Sequence, residues 1–181
     1  HDVLRAYAKQ FGIAKLENIV SGGKNGQDSI RNGLMDIHER YNSDNDVVLI
    51  HDAIRPMLLP EIITDNIRVC RRYGNAITVV PCTAAMLKTY DSLSTEEQVA
   101  RDNLKITQTP QAFYVNDIID AHREALSKGI TNSVASCTMY IELGRKLYMS
   151  KGSEKNLKLT TTEDIEIFKA LLQAKKDEWM H

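Results

Sequence analysis

The chain has 181 residues, 43% of them hydrophobic and 26% charged, which fits one globular domain spanning 1–181 rather than a disordered or fibrous chain. A formal net charge of -1 excludes a basic field that would gather nucleic acid, and no apolar run approaches the ~20 residues of a membrane span. Cys70, Cys82 and Cys137 are scattered and odd in number, which fits a reducing, cytoplasmic setting better than a disulfide framework; no CxxC pair points to zinc.

The opening stretch "HDVLRAYAKQFG" does not read as a signal peptide, because charge interrupts it and no apolar core follows. Residues 2–11 read as an amphipathic helix with Val3, Leu4, Tyr7, Ala8 and Phe11 on one face. "ENIVSGG" reads as a short strand running into a turn. "DSIRNGLMDIHERY" reads as a helix, with Ile30, Leu34, Ile37 and His38 at three- and four-residue steps and Asp28 or Ser29 placed to cap it. "DVVLIHD" is a continuous apolar run ending in polar residues, as expected of a parallel strand covered on both faces. "PEIITDNIRVCRRYG" is a helix opened by Pro60 and closed by Gly74, and "NAITVVPC" is the next strand.

The rhythm breaks at residues 83–104. A short strand, "AMLKTY", is followed by the polar stretch "DSLSTEEQVARDN", too long for a tight loop and too polar for core, so it reads as a protruding arm. "LKITQTPQAF" returns to strand and then to a proline-directed turn. "VNDIIDAHREALSKG" and "SVASCTMYIELG" are helices, "KLYMSKG" and "NLKLT" short strands, and "TTEDIEIFKALLQAKKDEWM" a closing helix with a threonine cap and early acids. Strands alternating with helices predict an α/β fold with a mostly parallel sheet and helices on both faces. The strand and glycine-rich phosphate turn that usually open such a domain are missing. The early cluster "SGGKNGQDS" matches neither GxGxxG nor GxxxxGK[ST].

Ligands in such sheets sit beyond the carboxyl ends of the strands, where Asp52 falls. A carboxylate there suits Mg²⁺ and the phosphates that accompany it, and Arg55 three residues on suits a phosphate. The spacing equally allows Asp52 to cap a turn that Arg55 neutralises. "SGGKNGQDS" offers backbone N–H groups to a ligand, or is a plain strand-to-helix loop. "RDNLKITQTPQAF" places Arg101, Lys105, Thr109 and Gln111 close together; Thr109 either meets a phosphate or belongs to a turn. Lys158 gains interest only if its segment ends beside Asp52. His38 falls on an apolar helix face. His51 could serve as a base, but strand alternation turns it away from the site. There is no nucleophile–base–orienter set.

Taken in order, "GG…Q-x-S-I-x-x-G-L", "V-L-I-H-D-A-I-R-P", "R-x-x-L…Q-T-P-Q-x-F" and "N-L-K-L-T-T-x-E-D" resemble the 2-C-methyl-D-erythritol 4-phosphate cytidylyltransferase family, which includes the ribitol-5-phosphate cytidylyltransferases. The resemblance runs from about Ser21 to Leu172. It implies a Rossmann-like fold and transfer of CMP from CTP to a sugar-alcohol phosphate with release of pyrophosphate. It implies that Gly23 and Ser29 line the cytidine pocket and that Asp52 and Ala53 sit at the Mg²⁺–CTP site. Arg55, Thr109 and Lys158 would surround the acceptor's phosphate and the reacting α-phosphate. Arg101 would reach the partner subunit's site from the arm through which the family forms homodimers, and would join Lys158 as a catalytic cation.

Three departures temper the match. The family's first strand and glycine-rich loop, with its Arg and Lys for the triphosphate, are absent, so the chain reads as N-terminally truncated and inactive by itself. Ala84-Ala85 replace an Asp-Thr pair of the arm, and Thr131-Asn132 stand where the family has Thr-Asp. These changes leave the acceptor open between 2-C-methyl-D-erythritol 4-phosphate and another polyol phosphate. They also leave room for a noncatalytic dimerising homologue that binds a nucleotide or sugar phosphate without turnover.

Overall fold

The computed structural model describes residues 1–41 and 45–178, with side chains to residue 174. In chain order the elements are α1 (Asp2–Gln10), α2 (Gly26–Tyr41), β1 (Val47–Ile50), α3 (Pro60–Tyr73), β2 (Asn75–Pro81), β3 (Met86–Lys88) and β4 (Glu97–Val99). After a 3-10 turn at Arg101–Asn103 follow β5 (Lys105–Tyr114), α4 (Val115–Ser127), α5 (Ser136–Glu142), β6 (Met149–Lys151) and α6 (Thr162–Glu178). None of these helices is long and apolar enough to cross a membrane. The chain gathers into two compact units, one from His1–Asp46 with Tyr114–Lys146, the other from Val47–Phe113 with the chain from Leu147 onward.

The first unit is helical. Its core lies where α2 packs on α4, with Leu34, Ile118, Ile119, Ala121, His122 and Ala125 buried. Helix α2 starts two residues before the expected position. Asn25 caps it, its Oδ1 accepting the Asp28 N–H at 2.9 Å, in place of Asp28 or Ser29. Glu17–Gly23 forms no strand. Asn32 donates instead to the Ser21 carbonyl and Asn18 to the Asp36 carboxylate, so side chains rather than a ladder satisfy this segment. In α1 the expected apolar face does form, but Ala8 is buried while Val3, Leu4, Tyr7 and Phe11 are exposed. Helix α5 is shorter than expected because Ala135 is extended (φ -155°, ψ 166°) and caps it, its N–H donating to the Thr138 hydroxyl at 2.9 Å.

The second unit is built on a four-stranded sheet in the order β1-β5-β2-β6. Strands β2 and β6 are parallel, but β2 and β5 are antiparallel, so the sheet is mixed where the pattern of alternating elements suggested a mostly parallel one. The cause is the arm. Strand β5 returns from it directly beside β2 without a crossover, and such a return must be antiparallel. Helix α3 opens with Pro60 and ends at Gly74 in the left-handed region (φ 96°). It packs on β2, β6 and β1, burying Val69 and Cys70 against Ala76 and Ala112, with Val47, Leu49 and Tyr148 at the margin. Asn66 of α3 is fully buried and donates to Thr78 of β2 at 3.1 Å and to Ser150 of β6 at 2.7 Å, fixing the helix across two strands.

Strand β5 runs unbroken from Lys105 to Tyr114, where a strand followed by a turn was expected. The turn-like sequence appears as a bulge instead. Ile77 pairs with Gln111 but Val79 with Thr107, so Gln108, Thr109 and Pro110 face Thr78 in the register. Proline has no N–H to offer a ladder, and a bulge is where a strand tolerates it. The arm is a separate two-stranded sheet, Met86 opposite Val99 and Lys88 opposite Glu97. The second of these strands, hidden in the polar stretch, is not evident from the sequence. At the tip the Asp91 carboxylate accepts the N–H groups of Ser94 and Leu93, which hold it below the ordinary carboxylate range. Asn156–Thr160 forms no strand, and the closing helix forms as expected to Glu178; Trp179 and Met180 of that expectation lie outside the described residues.

Candidate active site

The apolar strand β1 ends at Ile50 and delivers His51 and Asp52 to its carboxyl edge. The chain then turns, the Arg55 N–H donating to the Asp52 carbonyl at 3.0 Å, with Ala53 exposed at the corner. Two cations converge on one carboxylate oxygen. Arg55 Nε donates to Asp52 Oδ2 at 3.3 Å, and Lys158 Nζ lies 3.4 Å from the same atom. Lys158 arrives on an extended segment that is not a strand. Its neighbour Leu159 donates its N–H to the Ile54 carbonyl at 2.8 Å, which ties the segment to the turn after Asp52. On its other side the segment runs into α6. There the main-chain N–H groups of Thr160 and Thr161 donate to Asp164 and hold that carboxyl below its ordinary range.

Thr109 sits in the β5 bulge and is buried. Its Oγ1 accepts the Asp52 N–H at 3.0 Å and lies 3.0 Å from His51 Nδ1, while His51 Nε2 lies 3.1 Å from the Arg55 carbonyl. Asn156, fully buried, donates from Nδ2 to the Thr109 carbonyl at 2.8 Å, and its own carbonyl accepts from Arg55 Nη1 at 2.7 Å. Three segments distant in sequence therefore meet: the turn after β1, the β5 bulge and the loop before α6. His51 and Asn156 hold them together, and sequence reasoning missed both as site residues. Asn156 opens the "NLKLT" stretch, but nothing in its spacing marks it as buried. Strand alternation gave the wrong direction for His51 because β1 has already ended at Ile50.

Asp52 Oδ2 is occupied by cations, while Oδ1 has no partner among the described residues, and the side chain is about a third exposed (34%). No group of three or more His, Cys, Asp or Glu among the described residues could hold a metal. A lone carboxylate oxygen is a hard donor of the kind that a cation such as Mg²⁺ takes alongside phosphate oxygens and water. The arrangement can attract polyanions, orient a phosphate between Arg55 and Lys158, and present one free carboxylate oxygen. It contains no activated nucleophile.

Gly23 and Ser29 lie in the first unit. The Gly23 N–H donates to Ser29 Oγ at 2.9 Å, and that hydroxyl donates to the Asn25 carbonyl at 2.9 Å, closing a compact loop at the start of α2. A Cβ on Gly23 would fall onto the Asp28 side chain and within 2.9 Å of the Ser29 nitrogen, so the loop requires glycine there. Asn25 Nδ2 reaches the Thr131 carbonyl at 2.9 Å and Gln27 Nε2 the Ile130 carbonyl at 2.8 Å, which ties the loop to the segment holding Thr131-Asn132. Arg101 lies at the base of the arm, its Nη1 donating to the Thr83 carbonyl at 2.8 Å. None of its described contacts reaches the Asp52 cluster of its own chain. Ala84 and Ala85 are exposed beside it.

Three comparisons bear on this site. The family model described as 2-C-methyl-D-erythritol 4-phosphate cytidylyltransferase matches residues 4–174. The chain is 37% identical over 177 residues to a ribitol-5-phosphate cytidylyltransferase of Lacticaseibacillus paracasei, covering 97% of this chain and 75% of that protein. It is 38% identical over 166 residues to a 2-C-methyl-D-erythritol 4-phosphate cytidylyltransferase of Clostridium botulinum, covering 91% and 69%. The fold is that of the crystal structure of the 2-C-methyl-D-erythritol 4-phosphate cytidylyltransferase from Thermus thermophilus, with a TM-score of 0.75 over 88% of this chain and 76% of that one at 23% identity.

Proposed function

The chain belongs to the 2-C-methyl-D-erythritol 4-phosphate cytidylyltransferase family, a family of CTP-dependent nucleotidyltransferases, and we propose that it moves CMP from CTP to ribitol 5-phosphate or a close polyol phosphate. The observation that carries this acceptor is extent. The ribitol-5-phosphate enzymes align over 97–99% of the chain, against 91% for the methylerythritol enzymes at similar identity.

In the proposed reaction an oxygen of the acceptor's phosphate attacks the α-phosphorus of CTP. A new P–O bond forms, the bond to the β-phosphate bridge breaks, and pyrophosphate leaves with the electron pair. The attacking phosphate is already largely ionised near neutral pH, so no strong base is needed. Catalysis is then positioning and charge neutralisation, which suits a cluster with two cations and no nucleophile. Arg55 and Lys158 are proposed to hold the acceptor's phosphate against the α-phosphate. Asp52 Oδ1 is proposed to hold Mg²⁺ carried in by the triphosphate; a bound Mg²⁺ offsets charge on the phosphate oxygens. Asp52 and Ala53 would face the nucleotide, and Thr109 would support them. In the first unit, Gly23 and Ser29 are proposed to meet the cytidine with main-chain and hydroxyl groups.

A homodimer through the arm is also proposed. Support comes from the exposed apolar side chains Met86, Leu87 and Leu93, and from Arg101 at the base of the arm, whose described side-chain bond goes to the Thr83 carbonyl and not to the Asp52 cluster. A cytoplasmic location is proposed from the CTP chemistry and the buried cysteines. The test is pyrophosphate release from CTP with ribitol 5-phosphate and with 2-C-methyl-D-erythritol 4-phosphate, with and without Mg²⁺. Faster turnover of the methylerythritol substrate would overturn the acceptor assignment. Asp52→Asn should lower turnover by about 10²–10³-fold with an unchanged circular dichroism spectrum.

A further inference from the structure

His51 has two ring contacts with different requirements. A main-chain carbonyl can only accept, so the 3.1 Å contact to the Arg55 carbonyl requires the hydrogen on Nε2. With a single ring hydrogen, Nδ1 is then a lone pair. In that neutral tautomer the 3.0 Å contact to Thr109 Oγ1 is made by the threonine hydroxyl donating to the ring. That same oxygen accepts the Asp52 N–H at 3.0 Å. The one hydrogen of the Thr109 hydroxyl is used on His51, and one of its two lone pairs on Asp52. A rotor that could otherwise turn freely is locked at both ends.

From this relay, and on the reading of the site as a cytidylyl-transfer centre, we propose that His51 is a positioning residue acting through Thr109: it aims the threonine oxygen at the Asp52 N–H and so fixes the direction in which the Asp52 carboxylate faces its ligand. It also joins the two ends of the 51–55 turn, because Nε2 is bound to the carbonyl of Arg55, whose side chain reaches Asp52. In this relay the Thr109 oxygen accepts from the main chain and its hydroxyl hydrogen is committed to His51.

The relay predicts how substitutions combine. His51→Ala and Thr109→Val should each reduce kcat, by up to about 10²-fold for loss of positioning, and raise the Mg²⁺ concentration for half-maximal rate. The double variant should lose clearly less than the product of the two single losses, because the Nδ1 side of His51 has nothing left to act on and only its bond to the Arg55 carbonyl still counts. His51→Asn, which keeps an oxygen near the position of Nδ1, should recover at least half of the logarithmic loss, and His51→Leu none. Multiplying single-variant losses, or an Asn variant as poor as the Ala variant, would overturn the proposal. Two readouts do not depend on turnover. Long-range proton–nitrogen NMR of the unliganded protein should show hydrogen on Nε2 and not on Nδ1 of His51. The same cycle read by thermal melting should be non-additive. If the wild type transfers CMP to no polyol phosphate, the functional reading fails. Hydrogen on Nδ1, or additive melting shifts, would sink the relay itself.

Discussion

The side-chain amide of Asn156 donates to the main-chain carbonyl of Thr109 at 2.8 Å, in a place that solvent does not reach. This bond crosses 47 positions of sequence and seats the loop carrying Lys158 on the β5 bulge. Asn156→Ala would strand a buried carbonyl and loosen the carbonyl that binds Arg55. The expected cost is about 1–3 kcal/mol in urea unfolding, the range for a buried polar group left without its partner. Lys158 should lose its approach to Asp52 as well, so turnover should fall further than a Lys158→Met variant explains by charge. Asn156→Asp should be worse than alanine, because it sets a carboxylate against the same carbonyl.

Arg55 is used in two directions at once. Nε holds Asp52 Oδ2 at 3.3 Å and Nη1 holds the Asn156 carbonyl at 2.7 Å, with only 10% of the side chain exposed. A lysine ammonium cannot span both acceptors from that stem. Arg55→Lys is therefore expected to behave as a loss: roughly 1–3 kcal/mol of stability from the broken charged hydrogen bond, and about 10²-fold in turnover from a misplaced cation. Denaturant titration and steady-state kinetics would show this; wild-type values for both would mean that charge suffices and the planar fork does not matter.

The loop at the start of α2 offers a separate test. A methyl group on Gly23 would meet the Asp28 carbonyl carbon at 2.8 Å and the Ser29 nitrogen at 2.9 Å, main-chain atoms that cannot swing aside. Gly23→Ala should destabilise by about 1–3 kcal/mol, as overpacking does. If the loop also meets cytidine, the KM for CTP should rise in the same variant. Calorimetric melting and CTP titration separate the two effects. A Ser29→Ala variant keeps the backbone space and removes only the hydroxyl that accepts the Gly23 N–H, so it should affect CTP more than melting.

How far the residues announce this arrangement depends on the range of the interactions. Helices α3, α4 and α6 are legible because apolar spacing and end residues such as Pro60, Gly74 and Thr161 act within a few positions. Asp52 is legible because an apolar run ends just before it. The antiparallel return of β5 is not legible, since it depends on where the arm lets the chain re-enter. Nor is the bulge at Gln108–Pro110, which the sequence presents as an ordinary turn. Lys158 reads as a lone surface lysine until Leu159 and Asn156 are seen to dock its segment. Period-two alternation does not apply to His51, which lies one residue past the end of the strand. In each miss the deciding contact is a hydrogen bond between segments dozens of residues apart, which local pattern does not encode.

His122 gives the last prediction. It is buried where α2 packs on α4, lining a small cavity with Arg31, Leu34, Met35, Ile119 and Arg123, and neither ring nitrogen has a hydrogen-bond partner among the described residues. Burial first, and the Arg31 guanidinium second, push its pKa down from 6.5 to about 4, with Asp28 opposing weakly. The unfolded chain therefore takes up a proton that the folded one refuses between those two values. Stability from this group is complete above about pH 6.5, declines as pH falls, and is fully lost only below about pH 4, by an amount on the order of 2–3 kcal/mol. His122→Leu removes the titration and two unsatisfied nitrogens. Its unfolding free energy should match or exceed the wild type at pH 7.5 and should lack this acid decline. Urea midpoints at pH 7.5, 6.0, 5.0 and 4.5 would give a wild-type-minus-variant difference that becomes more negative towards low pH; a difference independent of pH would show that the ring is protonated inside the folded helices.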